Sequence, residues 1–266
     1  MSTLPPRVGR YERTIEGSLE RVLENVLDWE HLPWLHRTSF RSIALLEAGD
    51  WGWRARVGLP PDPAGPEIEI ELRLRPGELA YDVTTLAGPG SGTVIATRLR
   101  VQDPETTGVE VGFHVPAVGD DDAPAVGQAY ATLYERLWNE DQAMIAERTR
   151  ALTRPPPAVP VGARATLGLR SALAPPLEFG LAGRRFRLVE HRGELLAHDA
   201  TCPHRLGPLL EAPDDAGELS CPWHGYRFDV RTGRSTDGCG LRLLRPPRVR
   251  IDPETDEVTV TMEPQR

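Results

Sequence analysis

Lysine is missing from this 266-residue chain: all 31 of its basic residues are arginine. That bias reads as genome composition rather than chemistry. Long apolar runs are missing as well. No stretch comes near the ~18 consecutive apolar residues of a membrane-spanning helix, which excludes one. The first ten residues, Met1 to Arg10, hold no apolar signal-peptide core, so the expected location is the cytoplasm. No glycine-rich dinucleotide fingerprint is present, so the chain is not expected to take hydride from a nicotinamide itself. Excess positive charge is also lacking. With a net charge of −8, neither nucleic acid nor an anionic membrane is expected as the main partner. Three cysteines are too few for a disulfide scaffold of this length but enough for a cytosolic metal site, with seven histidines beside them. What is present is ordinary core material, 39% hydrophobic and 26% charged, in a length that suits one large domain or two small ones.

The chain has a visible seam. Arg154-Pro155-Pro156-Pro157-Ala158-Val159-Pro160 cannot continue a helix and favours a stiff, extended connector. Charge changes across it: residues 1–150 carry 15 arginines against 24 acidic residues, and residues 151–266 carry 16 against 15. The sequence therefore predicts a domain over 1–151, a proline-rich linker over 152–158 and a second domain over 159–266.

The first half starts with a short alternating strand over Arg10–Glu16. Ser18 then suits the N-cap of a helix with Leu19, Val22, Leu23, Val26 and Leu27 on one face, and Pro33 is expected to stop that helix. From about residue 39 to 116 the pattern has period two, as in Ile68-Glu69-Ile70-Glu71-Leu72 and Val109-Glu110-Val111-Gly112-Phe113, and predicts about six antiparallel strands. A long helix over Ala123–Arg150 closes the unit. A curved sheet gripping that helix would bury both apolar faces and leave a cavity between them. The second half reads as short strands at Arg185–Glu190, Glu194–His198, Leu219, Tyr226–Val230 and Val258–Met262. The fold class is α+β, with the second domain small and all-β. A domain with so little core often leans on a metal for stability.

Two loops in that β domain carry ligand chemistry: Cys202-Pro203-His204 and Cys221-Pro222-Trp223-His224-Gly225. Each offers one thiolate and one imidazole. Zinc is the general alternative for two Cys and two His, but zinc fingers usually pair Cys with Cys and His with His along the chain. Alternating Cys and His over two loops can instead give one iron two thiolates and a second iron two imidazoles. The pair, with a proline after each Cys and a glycine after the last His, resembles the Rieske [2Fe-2S] family. The resemblance implies that Cys202 and Cys221 bind one iron and His204 and His224 the other, at a potential roughly between −150 and +300 mV. Neither loop has the extra Cys pair of the mitochondrial type, so the likeness is to the ferredoxin and oxygenase branch. Cys239 reads as a plain thiol.

A second constellation stands in the first domain. Asp28 and His31 are neighbours at i, i+3 on a helix. His36 would be turned about 140° from His31 on a continuous helix, and a bend at Pro33 would let the two imidazoles converge. On the closing helix the stripe Tyr130, Leu133, Tyr134, Leu137, Met144, Ile145 is interrupted by Asp141, a carboxylate on an apolar face that needs a partner or a metal. Glu140 lies about 100° off that stripe and is expected to face solvent. His31, His36 and Asp141 would leave coordination positions open, which suits non-haem Fe(II) and dioxygen. On residues alone, the two His could equally be surface or capping residues, and Asp141 could pair with an arginine such as Arg148.

Asn25-x2-Asp28-x2-His31-x4-His36, with Asn139-Glu140-Asp141 on the last helix, resembles the motif of the Rieske non-haem iron oxygenases. The first domain is similar to the START/polyketide-cyclase helix-grip superfamily to which their catalytic domain belongs. The resemblance implies that Asp28 bridges a catalytic His (His31) and a Rieske His (His224) for electron transfer, with Asn25 beside it. It also implies a small apolar organic substrate, a separate reductase or ferredoxin as electron donor, and a homo-oligomer, a trimer by analogy. Hydroxylation, cis-dihydroxylation, demethylation and desaturation all occur in the family. One departure stands out: the family usually places its Rieske domain first, and here it comes second. Two rival readings remain. One is a Rieske electron-transfer protein fused to a helix-grip domain without iron; the other is a hydrophobic-ligand carrier whose cluster senses redox state. His114 is expected to be exposed and His191 and His198 structural. Trp29, Trp34, Trp51, Trp53 and Trp138 are expected in core and cavity lining.

Overall fold

A computed structural model describes residues 4–264, so residues 1–3 and 265–266 of the expected domains lie outside the described residues. The chain divides into two compact units, Met1–Thr149 and Arg150–Arg266.

The first unit runs β1 (Arg7–Glu16), α1 (Leu19–Leu27), a 3-10 turn (Trp29–His31), α2 (Leu32–Leu35), β2 (Ser42–Gly49), β3 (Gly52–Gly58), β4 (Glu67–Leu74), β5 (Ala80–Ala87), β6 (Val94–Asp103), β7 (Thr106–His114) and α3 (Ala123–Thr153). Six strands follow the helices, as the period-two pattern predicts. All seven form one antiparallel sheet in the order β1-β7-β6-β5-β4-β3-β2. Alternation decides which face is buried: Thr107, Val109, Val111 and Phe113 of β7 point inward while Glu110 stays exposed. The long helix covers that inner face. Phe113 stacks on Tyr130 at 5.4 Å and meets Tyr134 edge-on at 5.2 Å, so α3 and β7 interlock through aromatic rings. This is the helix-grip arrangement, α+β in class.

Two local expectations are corrected. The first helix does not run to Pro33: it ends at Leu27, and the chain turns at Asp28 (φ −84°, ψ 83°). Ser18 does cap its start, the hydroxyl accepting from the Arg21 N–H. Pro33 instead sits in the first turn of α2, where its missing N–H would have had no helical partner anyway. At the other end α3 continues to Thr153, so residues 152 and 153 of the expected linker are helical. The helix stops before Pro155, because a residue preceding proline is forced out of helical geometry.

The second unit holds β8 (Arg164–Leu169), β9 (Leu177–Leu181), β10 (Arg184–His191), β11 (Glu194–Asp199), β12 (Glu218–Ser220), β13 (Arg227–Asp229), β14 (Arg248–Ile251) and β15 (Glu257–Thr261). They form small antiparallel sheets ordered β11-β10-β9, β12-β13 and β14-β15-β8. Strands β8, β9 and β14 have no counterpart in the sequence reading; β8 and β9 do alternate, with Ala165 and Leu167 and with Leu177, Phe179 and Leu181 packed into the core, whereas β14 is four residues with two arginines. The core is divided. Leu188, Leu195, Ala197 and Val258 form one cluster, and Leu181, Phe186 and Met262 another, with Phe179 stacked on Phe186 at 5.7 Å.

His191 and His198 are buried in this unit. The Nδ1–H of His198 donates to the Asp199 carbonyl at 2.9 Å, and burial pushes the imidazole pKa down to about 4. Its folded pKa lies below the unfolded value of 6.5, so the unfolded chain takes up this proton first as pH falls. Stability is therefore lost as pH falls from about 6.5 to about 4, by about 3 kcal/mol for this group. Buried Asp199, whose pKa is raised by burial against the pull of Arg184, contributes with the opposite sign. Urea melts of the full chain at pH 7 and pH 5 should show the loss in the wild type and a smaller one in His198→Asn. Equal pH dependence in both proteins would refute this assignment.

Candidate metal centres

In the first unit, three buried side chains meet on the inner side of the helix-grip. His31 comes from the 3-10 turn, His36 from the end of α2, and Asp141 from the middle of α3. They are 4%, 2% and 8% exposed. The two Nε2 atoms are 3.2 Å apart, and Asp141 Oδ1 lies 3.2 Å from His36 Nε2 and 3.6 Å from His31 Nε2. Metal bonds of roughly 2.1 Å place neighbouring ligand atoms roughly 3 Å apart, so the spacing and donor set fit one ion. The turn at Asp28 brings the two rings together, and the chain holds His36 through backbone bonds. Its N–H donates to Leu32 O at 3.1 Å, and its carbonyl accepts from the N–H groups of Ser39 at 2.8 Å and Phe40 at 2.9 Å.

Asn25, on the last turn of α1, donates from Nδ2 to Asp141 Oδ1 at 3.1 Å, so it fixes the carboxylate rather than competing for the ion. Burial works to raise the Asp141 pKa, but the hydrogen bond and charge of His36, the charge of His31 and the Asn25 amide outweigh it and hold the group ionised. Burial disfavours a charged His36, and the two carboxylates Asp141 and Glu140 overcome this and raise its pKa. Asp28, at the C-cap of α1, is buried at 7% exposure beside these groups.

Glu140 is a correction. Far from facing solvent, it reaches His36 Nδ1 with Oε2 at 2.6 Å. A helical wheel gives its angle on α3 but not the ring that α2 brings to meet it. Beside the three polar groups lies a cavity of about 120 Å³ lined by Phe40, Trp53, Ile70, Leu72, Tyr81 and Trp138, among others. Trp34 is 41% exposed and Trp51 lies under the Arg73 guanidinium, so these two tryptophans belong to the surface. His114, expected to be exposed, is half-buried with Nδ1 donating to Pro5 O at 2.9 Å.

In the second unit the two ligand loops share one backbone plan. Cys202 N–H donates to Gly207 O at 2.8 Å and Leu206 N–H returns to Cys202 O at 3.1 Å. In the other loop Cys221 N–H donates to Tyr226 O at 2.9 Å and Gly225 N–H returns to Cys221 O at 2.8 Å. The fifth residue of each loop has positive φ, +64° at Leu206 and +69° at Gly225, so the glycine after the last His meets a backbone demand. Leu206 meets the same demand against its β-carbon. The loops put like with like. The thiols of Cys202 and Cys221 are buried and hydrogen-bonded to each other, so that one proton is held between them and the first thiolate forms more readily than the second. The His204 and His224 rings lie 4.6 Å apart. A sulfur pair beside an imidazole pair is the donor set that a cluster with two unlike irons requires. Cys239 is half-buried, and its backbone N–H donates to Asp237 Oδ1 at 3.0 Å.

These loops and their small sheets define an iron–sulfur domain of the Rieske class. Residues 160–242 match the family described as Rieske [2Fe-2S] domain, and this part of the chain is such a domain, which implies a [2Fe-2S] cluster. It follows the helix-grip unit, the reversed order expected from the sequence. The chain is 35% identical over 88 residues to apoptosis-inducing factor 3 of Mus musculus, covering 33% of this chain and 14% of that protein. It is 42% identical over 62 residues to the 4beta-methylsterol monooxygenase of Methylococcus capsulatus, covering 22% and 16%. The chain thus spans about a seventh of these relatives' lengths. Among solved structures, the Zhui aromatase/cyclase of Streptomyces sp. R1128 is similar with a TM-score of 0.41 and 18% identity, over 54% of this chain and 95% of that one.

Gly207 is a residue the sequence reading missed. A β-carbon there would sit 2.9 Å from two ring atoms of Trp223 and 3.2 Å from Cys221 Sγ. Only the partner loop reveals that need. Gly207→Ala should therefore cost about 1–3 kcal/mol and loosen the cluster pocket. Visible absorbance per chain should drop in Gly207→Ala and stay at wild-type level in Gly180→Ala, where nothing lies within 4 Å of an added β-carbon. Full cluster content and stability in Gly207→Ala would contradict the packing argument.

Proposed function

We propose that the chain is a Rieske-type oxygenase that uses electrons from a separate reductase or ferredoxin, together with dioxygen, to oxidise an apolar organic substrate. One observation carries this reading. A buried two-histidine, one-carboxylate trio opens onto an apolar cavity in a chain that also holds a Rieske domain. In this reading Cys202, Cys221, His204 and His224 hold the [2Fe-2S] cluster, and His31, His36 and Asp141 hold Fe(II). The cluster supplies electrons one at a time, and the iron supplies dioxygen activation.

The chain's own residues do the rest. Asn25 keeps Asp141 Oδ1 turned toward the imidazoles. Phe40, Trp53, Ile70, Leu72 and Trp138 exclude water around the substrate and strengthen the local electrostatics. Asp28, buried and three residues from His31, is the proposed electron-transfer residue on the iron side. A trimeric assembly is carried over from the family resemblance. The similarity to the 4beta-methylsterol monooxygenase, over 22% of this chain, is in keeping with an oxygenase. Among the described residues no helix is long and apolar enough to cross a membrane.

Iron analysis tests the proposal. Wild type should contain three irons per chain and Asp141→Ala two, with the visible cluster spectrum intact in both. Two irons in both proteins would remove the catalytic centre and leave the fused electron-transfer reading. Substrate-dependent oxygen uptake with a generic reductase should then follow the three-iron form and be at least about 100-fold lower in Asp141→Ala, a loss of about 2.7 kcal/mol of transition-state stabilisation.

A further inference from the structure

Glu140 and Asp141 are consecutive on α3, yet both carboxylates contact one imidazole. His36 is held at Nε2 by Asp141 Oδ1 at 3.2 Å and at Nδ1 by Glu140 Oε2 at 2.6 Å. Consecutive helical residues point about 100° apart and do not ordinarily share a target. They do so here because the His36 ring, at the C-cap of α2, spans the angle between them. The ring is 2% exposed at its side chain, and the Glu140 side chain is 29% exposed, on the outer side of the ring. Among the described residues, His36 is the group that the Glu140 carboxylate pairs with.

The chemistry of this contact has one consequence. An ionised carboxylate only accepts hydrogen bonds, and each His36 nitrogen faces one; once Nε2 takes an ion beside Asp141, the proton of a neutral His36 is confined to Nδ1, where Glu140 accepts it. Nε2 then presents its lone pair toward His31 Nε2 and Asp141 Oδ1, the direction in which an ion would lie. The same contact fixes the ring's rotation and makes Nε2 a stronger donor. We propose that Glu140 is a positioning residue for the mononuclear metal, setting the tautomer and orientation of His36 without touching the ion. This rests on the reading of His31, His36 and Asp141 as metal ligands. It adds a fourth residue that neither the ligand set nor the bridging Asp28 includes.

The test uses the full chain with its cluster oxidised. Co(II) and Fe(II) are titrated without oxygen into wild type, Glu140→Ala, Glu140→Gln and, as a blank, Asp141→Ala. Glu140→Ala should bind roughly 10- to 100-fold more weakly than wild type and give an altered Co(II) d–d spectrum. Glu140→Gln, whose amide oxygen can still accept from Nδ1, should recover most of the affinity. The metal-free melting temperatures should stay together, since the contact serves the ring rather than the core. Equal affinities in wild type and Glu140→Ala would overturn the inference while leaving the metal site standing. A wild type no better than Asp141→Ala would overturn the site and the inference with it. Should Glu140→Ala not fold, Glu140→Asp takes its place: its shorter side chain draws the carboxylate back from Nδ1 and should also weaken binding, and wild-type affinity in Glu140→Asp would overturn the inference.

Discussion

An ionised carboxylate sits on the buried face of α3, and the first unit is arranged around the need to satisfy it. Asp141 occupies a helical position that packing would give to leucine, between Leu137 and Met144. Isolated in an apolar interior, such a charge would cost far more than the fold could spare. Instead it receives the Asn25 amide from one side and two imidazoles from the other. Each donor reaches it through a different element: α1, the 3-10 turn and α2. The break at Asp28 and the short helix after it exist in this geometry to bring His31 and His36 to one atom. Sheet and helix supply the apolar walls around the polar trio.

The second unit answers a different constraint. Its core is split into small clusters, and the two ligand loops lie among short strands. Two loops with the same backbone hydrogen bonds and the same left-handed fifth residue place two thiols together and two rings together. Small β units of this size gain part of their stability from the group such loops hold. The tight contact of Gly207 with Trp223 and Cys221 shows how little space is left around the sulfur atoms.

The parts that were legible in the sequence are those in which local pattern decides structure. Alternation in β4 and β7, the Ser18 cap and the stripe on α3 all predict their elements. Cys-x-His and Cys-x2-His specify the ligand loops within a few residues of chain. The parts that were not legible depend on contacts between distant segments. The end of α1 depends on the backbone of Asp28, and Pro33 proves compatible with a helix start, so the expected bend moved by five residues. Glu140 looks solvent-facing on a wheel of α3, because the wheel does not contain the ring of His36. Strand β14, Arg-Val-Arg-Ile, has one inward residue between two arginines, too few to read as a buried strand. Gly207 is ordinary in its own loop and becomes restrictive only beside Trp223.

The central claim is that this chain carries an ion at His31, His36 and Asp141 in addition to the cluster of its Rieske domain. Anomalous diffraction from crystals grown without oxygen, recorded on both sides of the iron edge, tests it most directly. The account predicts a single iron peak among His31 Nε2, His36 Nε2 and Asp141 Oδ1, and a resolved pair among Cys202, His204, Cys221 and His224. A pair of peaks at the loops with none inside the helix-grip unit would contradict it.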